Sequence, residues 1–285
     1  MMNKYKLIKN LTIIGESIND SVPSTNKLFE ESNFEGIQKL SRSQAKKNVK
    51  YLDVNVGMRS TDFFSAVIKS IQNVVDLPLS IDTPSYELQE IGLKNYNLEK
   101  ANNKKPIVNS ISELRLELFE LYKIMPFIPI LILSERDNNG ERSQNRDEKE
   151  IYETGKRLVK KAREYNIPNE EIILDPGVAP IGVDFENKTR AVLCAMKLIK
   201  NDKYFENIHI SVGLSNFSNM LPHGTLLESA FITLAQPLGL DFIIGNSKKR
   251  YKILSENEPA LVALKEALEL GGYESLARIQ EFISS

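Results

Sequence analysis

The chain has 285 residues, 41% of them hydrophobic and 26% charged, with a formal net charge of -1 at pH 7, and its mean hydropathy is -0.28. This balance describes a globular protein with a substantial core, and it excludes the basic surplus that nucleic acid or an anionic membrane surface would attract. A single cysteine, Cys194, excludes an intrachain disulfide and points to the cytoplasm, the N-terminal apolar run breaks too early for a signal peptide, and no run is long enough to span a membrane.

The pattern along the chain is strand, polar residue, helix, and it recurs. The first strand is expected over Leu11 to Ile14, with Gly15-Glu16-Ser17-Ile18-Asn19 at its C-terminal end and a helix from about Asn33 to Asn48. Tyr51 to Gly57 reads as the second strand, and Ser60-Thr61-Asp62 offers the side-chain oxygens that cap a helix start. Leu77 to Ile81 is the third, ending in Asp82-Thr83, with Pro84 opening the next helix. Ile107-Val108 leads to Asn109-Ser110, and Ile111, Leu114, Leu116, Leu118 and Leu121 suggest an amphipathic helix. Strand five, Ile128 to Leu133, ends at Ser134-Glu135. The stretch 136–149 has no apolar residue and reads as a mobile loop over the strand-five rim.

After a helix from about Glu150 to Tyr165, Glu171 to Leu174 runs into Asp175-Pro176-Gly177. A helix from about Asn187 to Ile199 precedes the period-two stretch Ile208, Ile210, Val212, which ends at Gly213-Leu214-Ser215-Asn216. A further helix is expected over roughly Leu226 to Leu234, and Asp241 to Ile244 ends at Gly245-Asn246-Ser247. The last long helix, about Pro259 to Leu270, stops at Gly271-Gly272, and a short helix follows.

Strict alternation implies a parallel sheet with helical crossovers. Eight such units without a nucleotide-type Gly-x-Gly-x-x-Gly favour a closed (β/α)₈ TIM barrel over an open sheet, and the absence of a linker makes 1–285 one domain. Active sites of such barrels lie at the C-terminal rim. Here the rim residues are Glu16, Asn19, Asp53, Asn55, Asp82, Asn109, Ser134, Asp175, Asn216 and Asn246. They include no histidine, no lysine, no metal-ligand spacing and no phosphate-cradling glycine loop, so no bound metal is expected. Carboxylates accept from adjacent N–H groups and asparagine both donates and accepts, so the set suits a flat, amide-rich heterocycle. Any one of these positions could be a cap or turn residue; four strand ends carrying Asp82, Asn109, Asp175 and Asn216 together favour function. Asp53 and Asn55 share a strand face, so one can reach a ligand while the other orients it. His209, inside a strand, and Cys194, at helical spacing with Ala191, Val192, Leu198 and Ile199, read as structural, the latter as a small core residue.

The strings Gly-Glu-Ser-Ile-Asn (15–19), Leu-Asp-Val-Asn-Val-Gly (52–57), Ser-Ile-Asp-Thr (80–83), Val-Asn-Ser (108–110), Ile-Leu-Asp-Pro (173–176) and Gly-Leu-Ser-Asn-Phe-Ser (213–218) occur in this order on successive strands. The ordered set resembles the pterin-binding methyltransferases, in particular the methyltetrahydrofolate:corrinoid protein methyltransferases, over roughly Leu11 to Ser247. The resemblance implies a barrel that holds the pterin of tetrahydrofolate or methyltetrahydrofolate as substrate. Asp82, Asn109 and Asp175 would bond the pterin, Asn216 would contact the methyl-bearing N5 and act in catalysis, and Ser215, Asn55, Glu16 and Ser134 would complete the site. It also implies a homodimer and a corrinoid (cobalamin) brought by a partner corrinoid protein, since the chain has no Asp-x-His-x-x-Gly cobalamin motif. Two alternatives stay open: a dihydropteroate synthase-like enzyme, whose family pattern has a lysine where Asn216 stands, and a non-catalytic pterin- or folate-binding protein.

Overall fold

The structure is a computed structural model that describes residues 8, 10–47 and 49–284, so the N-terminal segment 1–7 and Asn48, the expected end of the first helix, lie outside the described residues. Eight parallel strands close a barrel: β1 Thr12–Asn19, β2 Tyr51–Asn55, β3 Leu79–Asp82, β4 Ile107–Ile111, β5 Ile128–Ile132, β8 Ile173–Asp175, β9 His209–Gly213 and β10 Leu240–Gly245, with β1 paired to both β2 and β10. The two remaining strands, β6 Glu135–Asn138 and β7 Glu141–Gln144, pair antiparallel outside the barrel. Among the described residues no helix is long and apolar enough to cross a membrane.

Period-two alternation sorts the strand residues between two environments. Ile14, Ile107, Ile130 and Ile173 form one apolar cluster, packed by Tyr51, Ile128, Ile132, Phe242 and Ile244. Two positions further along the same strand faces the residue types turn polar: Tyr51 is followed by Asp53, Ile107 by Asn109, Ile173 by Asp175. The barrel is thus plugged by branched side chains on one level and lined by hydrogen-bonding groups at its C-terminal end. The alternate residues face the helices and join the main core, with Leu52, Val54, Ile81, Val108, Leu131, Leu174 and Val212 among them.

The helices are α1 Pro23–Glu30, α2 Phe34–Ala45, α3 Thr61–Gln72, α4 Tyr86–Asn95, α5 Glu148–Glu164, α6 Lys188–Asn201, α7 Leu214–Phe217, α8 Gly224–Ala235, α9 Pro259–Leu270 and α10 Gly272–Ser284. Several starts are fixed by side-chain caps: Asn33 accepts from Gly36 N–H, Ser60 from Phe63, Ser85 from Leu88 and Asp147 from Lys149 and Glu150.

Four expectations are corrected. The segment 136–149 is no loose loop; its tip, Asn139-Gly140, takes positive φ at both residues, and the flanking charges pair, Arg142 with Glu135 and Arg136 with Glu150. The crossover after β4 is a run of 3₁₀ turns over Glu113–Lys123, broken by Arg115 at φ -143° and ψ 42°, because its leucines fit several short turns as well as one helix. An extra helix, α1, follows β1, and β1 itself extends to Asn19, so Glu16 and Asn19 belong to the strand. Cys194 is exposed, lying between the buried Leu193 and Ala195 on the outer side of α6.

Candidate active site

At the C-terminal mouth of the barrel the strand ends enclose a cavity of about 860 Å³. Its floor is a connected polar layer. Asp53 on β2 is buried and accepts from the Ser80 hydroxyl at 2.6 Å and from Asn109 Nδ2 at 3.2 Å. Asn55, two residues on, donates its Nδ2 to Asp82 Oδ2 at 3.0 Å, while its Oδ1 accepts from Gly57 N–H at 2.9 Å. On β8, Asp175 accepts from Gly177 N–H at 2.8 Å and from the Ser211 hydroxyl at 3.0 Å. Behind the floor the buried Gln89 side chain ties β3 to β4, donating to the carbonyls of Ile81, Thr83 and Asn109 at 3.0 to 3.1 Å.

Burial sets the electrostatics of this layer. Loss of water raises Asp53 well above the ordinary carboxylate range, and the neighbouring Asp82 adds to the effect. Asp82 is raised by burial too, against the pull of Asn55 and of the Arg115 charge. Burial pushes Asp175 up to about 6, although the Gly177 N–H and the Ser211 hydroxyl favour its charged form. Gly177 is confined by its surroundings: its φ is +72°, and a Cβ there would meet the Ser134 Cβ at 2.7 Å.

The opposite wall is built differently. β9 ends at Gly213, and the short α7 turn carries Ser215 and Asn216 over the cavity. The Ser215 hydroxyl donates to Glu16 of β1, whose carboxyl is raised mainly by burial, with the Glu228 charge adding and the Ser215 bond opposing. The Asn216 side chain is exposed and has no hydrogen bond to any described residue. Gly213 leaves it room, since a Cβ at that position would lie 3.2 Å from Asn216 Nδ2.

The structure therefore gathers Glu16, Asp53, Asp82, Asn109, Ser134, Asp175, Ser215 and Asn216 around one cavity. Asn55 stands behind Asp82 rather than on the cavity wall. His209 is at the other end of β9, where its Nδ1 lies 2.6 Å from Asp241 Oδ2. His223 occupies the residue before α8 at φ +57° and does not line the cavity. Sequence reading missed Ser80, Ser211 and Gln89. The two serines were within reach of it, because Ser80 lies two residues before Asp82 and Ser211 two before Gly213, where β9 opens on the cavity, each on the same strand face. Gln89 carries no such signal, because its role depends on the angle at which α4 packs. Among the described residues no group of His, Cys, Asp and Glu is arranged to hold a metal ion.

A parallel barrel whose mouth offers buried acceptors and amides, with Lys248 the one cation among the described lining residues against the carboxylates of Glu16, Asp53, Asp82 and Asp175, presents a hydrogen-bonding set complementary to a flat, N–H-rich heterocycle. Residues 30–246 match the family model for pterin binding enzymes, and the chain belongs to that family. It is 27% identical over 255 residues to the methylcorrinoid:tetrahydrofolate methyltransferase of Eubacterium limosum, covering 84% of this chain and 86% of that protein. Its fold is similar to that of dihydropteroate synthase from Thermus thermophilus, with a TM-score of 0.57 at 16% identity over 94% of each chain. The Xanthomonas albilineans dihydropteroate synthase solved with 7,8-dihydropteroate gives a TM-score of 0.51 at 14% identity over 92% of this chain and 94% of that one.

Proposed function

We propose that this pterin-binding enzyme moves a methyl group between N5 of tetrahydrofolate and the cobalt of a corrinoid carried by a separate protein. The observation that carries the reading is the uncommitted Asn216 amide facing a floor of buried acceptors, in a chain related to a methylcorrinoid:tetrahydrofolate methyltransferase. The fit to a pterin is chemical. Asp82 and Asp175 accept from its amino and ring N–H groups, and Asn109, held by Asp53, meets the remaining edge. A synthase that releases pyrophosphate would need cations at the mouth, and the described lining offers Lys248 alone. The same reading takes 1–285 as one domain, working in the cytoplasm as a homodimer.

An N5 amine is a poor methyl donor because charge must build on nitrogen as the bond breaks. Asn216 cannot release a proton at ordinary pH, so its contribution is a hydrogen bond that strengthens as N5 gains charge. Ser215, bonded to Glu16, steadies the turn beside it. The corrinoid, when its carrier docks over the rim, supplies the metal centre that gives or takes the methyl group. The residues that hold N5 serve either direction.

The test is an anaerobic mixture of the purified protein with methyltetrahydrofolate and cob(I)alamin, followed by visible absorbance. Protein-dependent formation of methylcobalamin is expected. Absence of both methyl transfer and calorimetric folate binding overturns the reading.

A further inference from the structure

Glu228, on α8, is fully buried and stands outside the cavity wall. Its Oε1 accepts from the Ser218 hydroxyl and from Lys249 Nζ, the latter at 2.6 Å, while Oε2 is buried without a hydrogen-bond partner among the described residues. Both partners belong to the loops that line the site. Ser218 closes the α7 turn, returning its N–H to the Leu214 carbonyl at 3.4 Å. Gly224 presses against it, so that a Cβ there would lie 2.9 Å from Ser218 Oγ. Lys249 donates its backbone N–H to the Asn246 carbonyl at 3.0 Å, and Asn246 lines the cavity. The Glu228–Lys249 pair thus joins the loop after β9 to the loop after β10 from behind.

A buried ion pair is a poor way to gain stability. Desolvation, here mainly of the fully buried Glu228 carboxylate, offsets the pair's attraction, and well-packed apolar residues of similar volume do as well or better. What such a pair can secure is a unique geometry. The Asn216 amide lies on the turn that Ser218 closes, and its own side chain has no hydrogen bond to any described residue to hold it there.

We propose that Glu228 and Lys249 are positioning residues: the buried Glu228 carboxylate, accepting from both Ser218 and the partly exposed Lys249, clamps the α7 turn to the loop after β10 and so fixes the Asn216 amide over the cavity. The kinetic part rests on the methyl-transfer reading; the structural part does not.

The decisive variant is the double replacement Glu228→Leu/Lys249→Met, compared with the parent by thermal melting, folate calorimetry, amide hydrogen exchange and methyl-transfer kinetics. The expected result is unchanged melting and folate affinity within about threefold, with exchange in 213–220 faster by roughly tenfold and kcat lower by about 10–100-fold, the scale of a misplaced catalytic group. Parental exchange and kcat in the folded double variant overturn the proposal. Should that variant fail to fold, Glu228→Gln keeps the shape while removing the charge. A fall in kcat at constant folate affinity, with faster exchange in 213–220, is then expected, and parental values of both overturn the clamp. If the parent binds folate but transfers no methyl, the methyl-transfer reading falls and exchange alone decides the clamp.

Discussion

The floor of the cavity and the turn that overhangs it are built on opposite plans. On the floor each polar side chain is already committed: Asp53 to Ser80 and Asn109, Asn55 to Asp82, Asp175 to Gly177 and Ser211. The Asn216 amide has no such commitment. A pre-bonded, buried layer holds its acceptors in fixed directions, which suits recognition of a ligand's ground state. A free donor on a short turn can improve its bond as charge develops, which suits the transition state. On the proposed reading the floor and the turn divide binding from chemistry, and variants on each side should fail in different ways.

The sharpest break is expected at Asn216. Asn216→Ala should lower kcat by about 10²–10³-fold, as loss of a donor to developing charge does elsewhere, with folate affinity nearly unchanged. Single-turnover rates and calorimetry separate the two. An unchanged kcat would falsify the division by removing Asn216 from the chemistry.

Next in size is the floor. Asp175→Ala removes a carboxylate that, on the proposed reading, accepts from ligand N–H groups, and a charged hydrogen bond contributes about 1.5–3 kcal/mol, or about 10–150-fold in affinity. At saturating folate, kcat should recover most of its value. A kcat loss as deep as that of Asn216→Ala would merge floor and turn into one catalytic unit.

Much of this arrangement is legible in the sequence because it follows from period two. Asp82 and Asp175 end apolar strands, Asp53 and Asn109 stand two residues before the ends of theirs, and alternation directs all four into one mouth. The clamp residues Glu228 and Lys249 were not legible. They act through α8 and the loop after β10, which alternation does not orient, and their partner Ser218 lies beyond a strand end. The 3₁₀ crossover at 113–123 was misread for a related reason, since spaced leucines record that a face is buried and not how tightly the backbone is wound. Likewise Cys194 keeps helical spacing with apolar neighbours yet falls on the outer face of α6.

A third expectation separates binding from folding by pH. With Asp175 raised from 3.8 to about 6, ligand binding to its ionised form should weaken by about tenfold per unit as pH falls below about 6. The sign for folding is reversed. A carboxyl raised in the folded state contributes stability that is present below its unfolded value and is lost as pH rises through about 6. Going from pH 7 to pH 5 should then loosen the ligand while this group tightens the fold, and the raised Asp53, Asp82 and Glu16 act in the same sense. Calorimetry and melting curves over that range give the two slopes, and Asp175→Asn should flatten its share of both.

The smallest effect belongs to Asn55, a floor residue off the cavity wall that, on the proposed reading, reaches the ligand only through Asp82. Asn55→Ala deletes the 3.0 Å bond to Asp82 and the 2.9 Å bond from Gly57 N–H. Because this support acts on Asp82 and not on the ligand itself, only about 1 kcal/mol should reach binding, so folate affinity should fall by about fivefold with kcat intact. Loss of the donor also removes one of the influences that hold Asp82 down, so the acid limb of the binding profile should move to higher pH. That displacement distinguishes an orienting role from a packing defect, which would weaken binding equally at every pH. A kcat loss larger than the affinity loss would instead place Asn55 with the turn, and the boundary between the two halves of the mouth would have to be redrawn between β2 and β3.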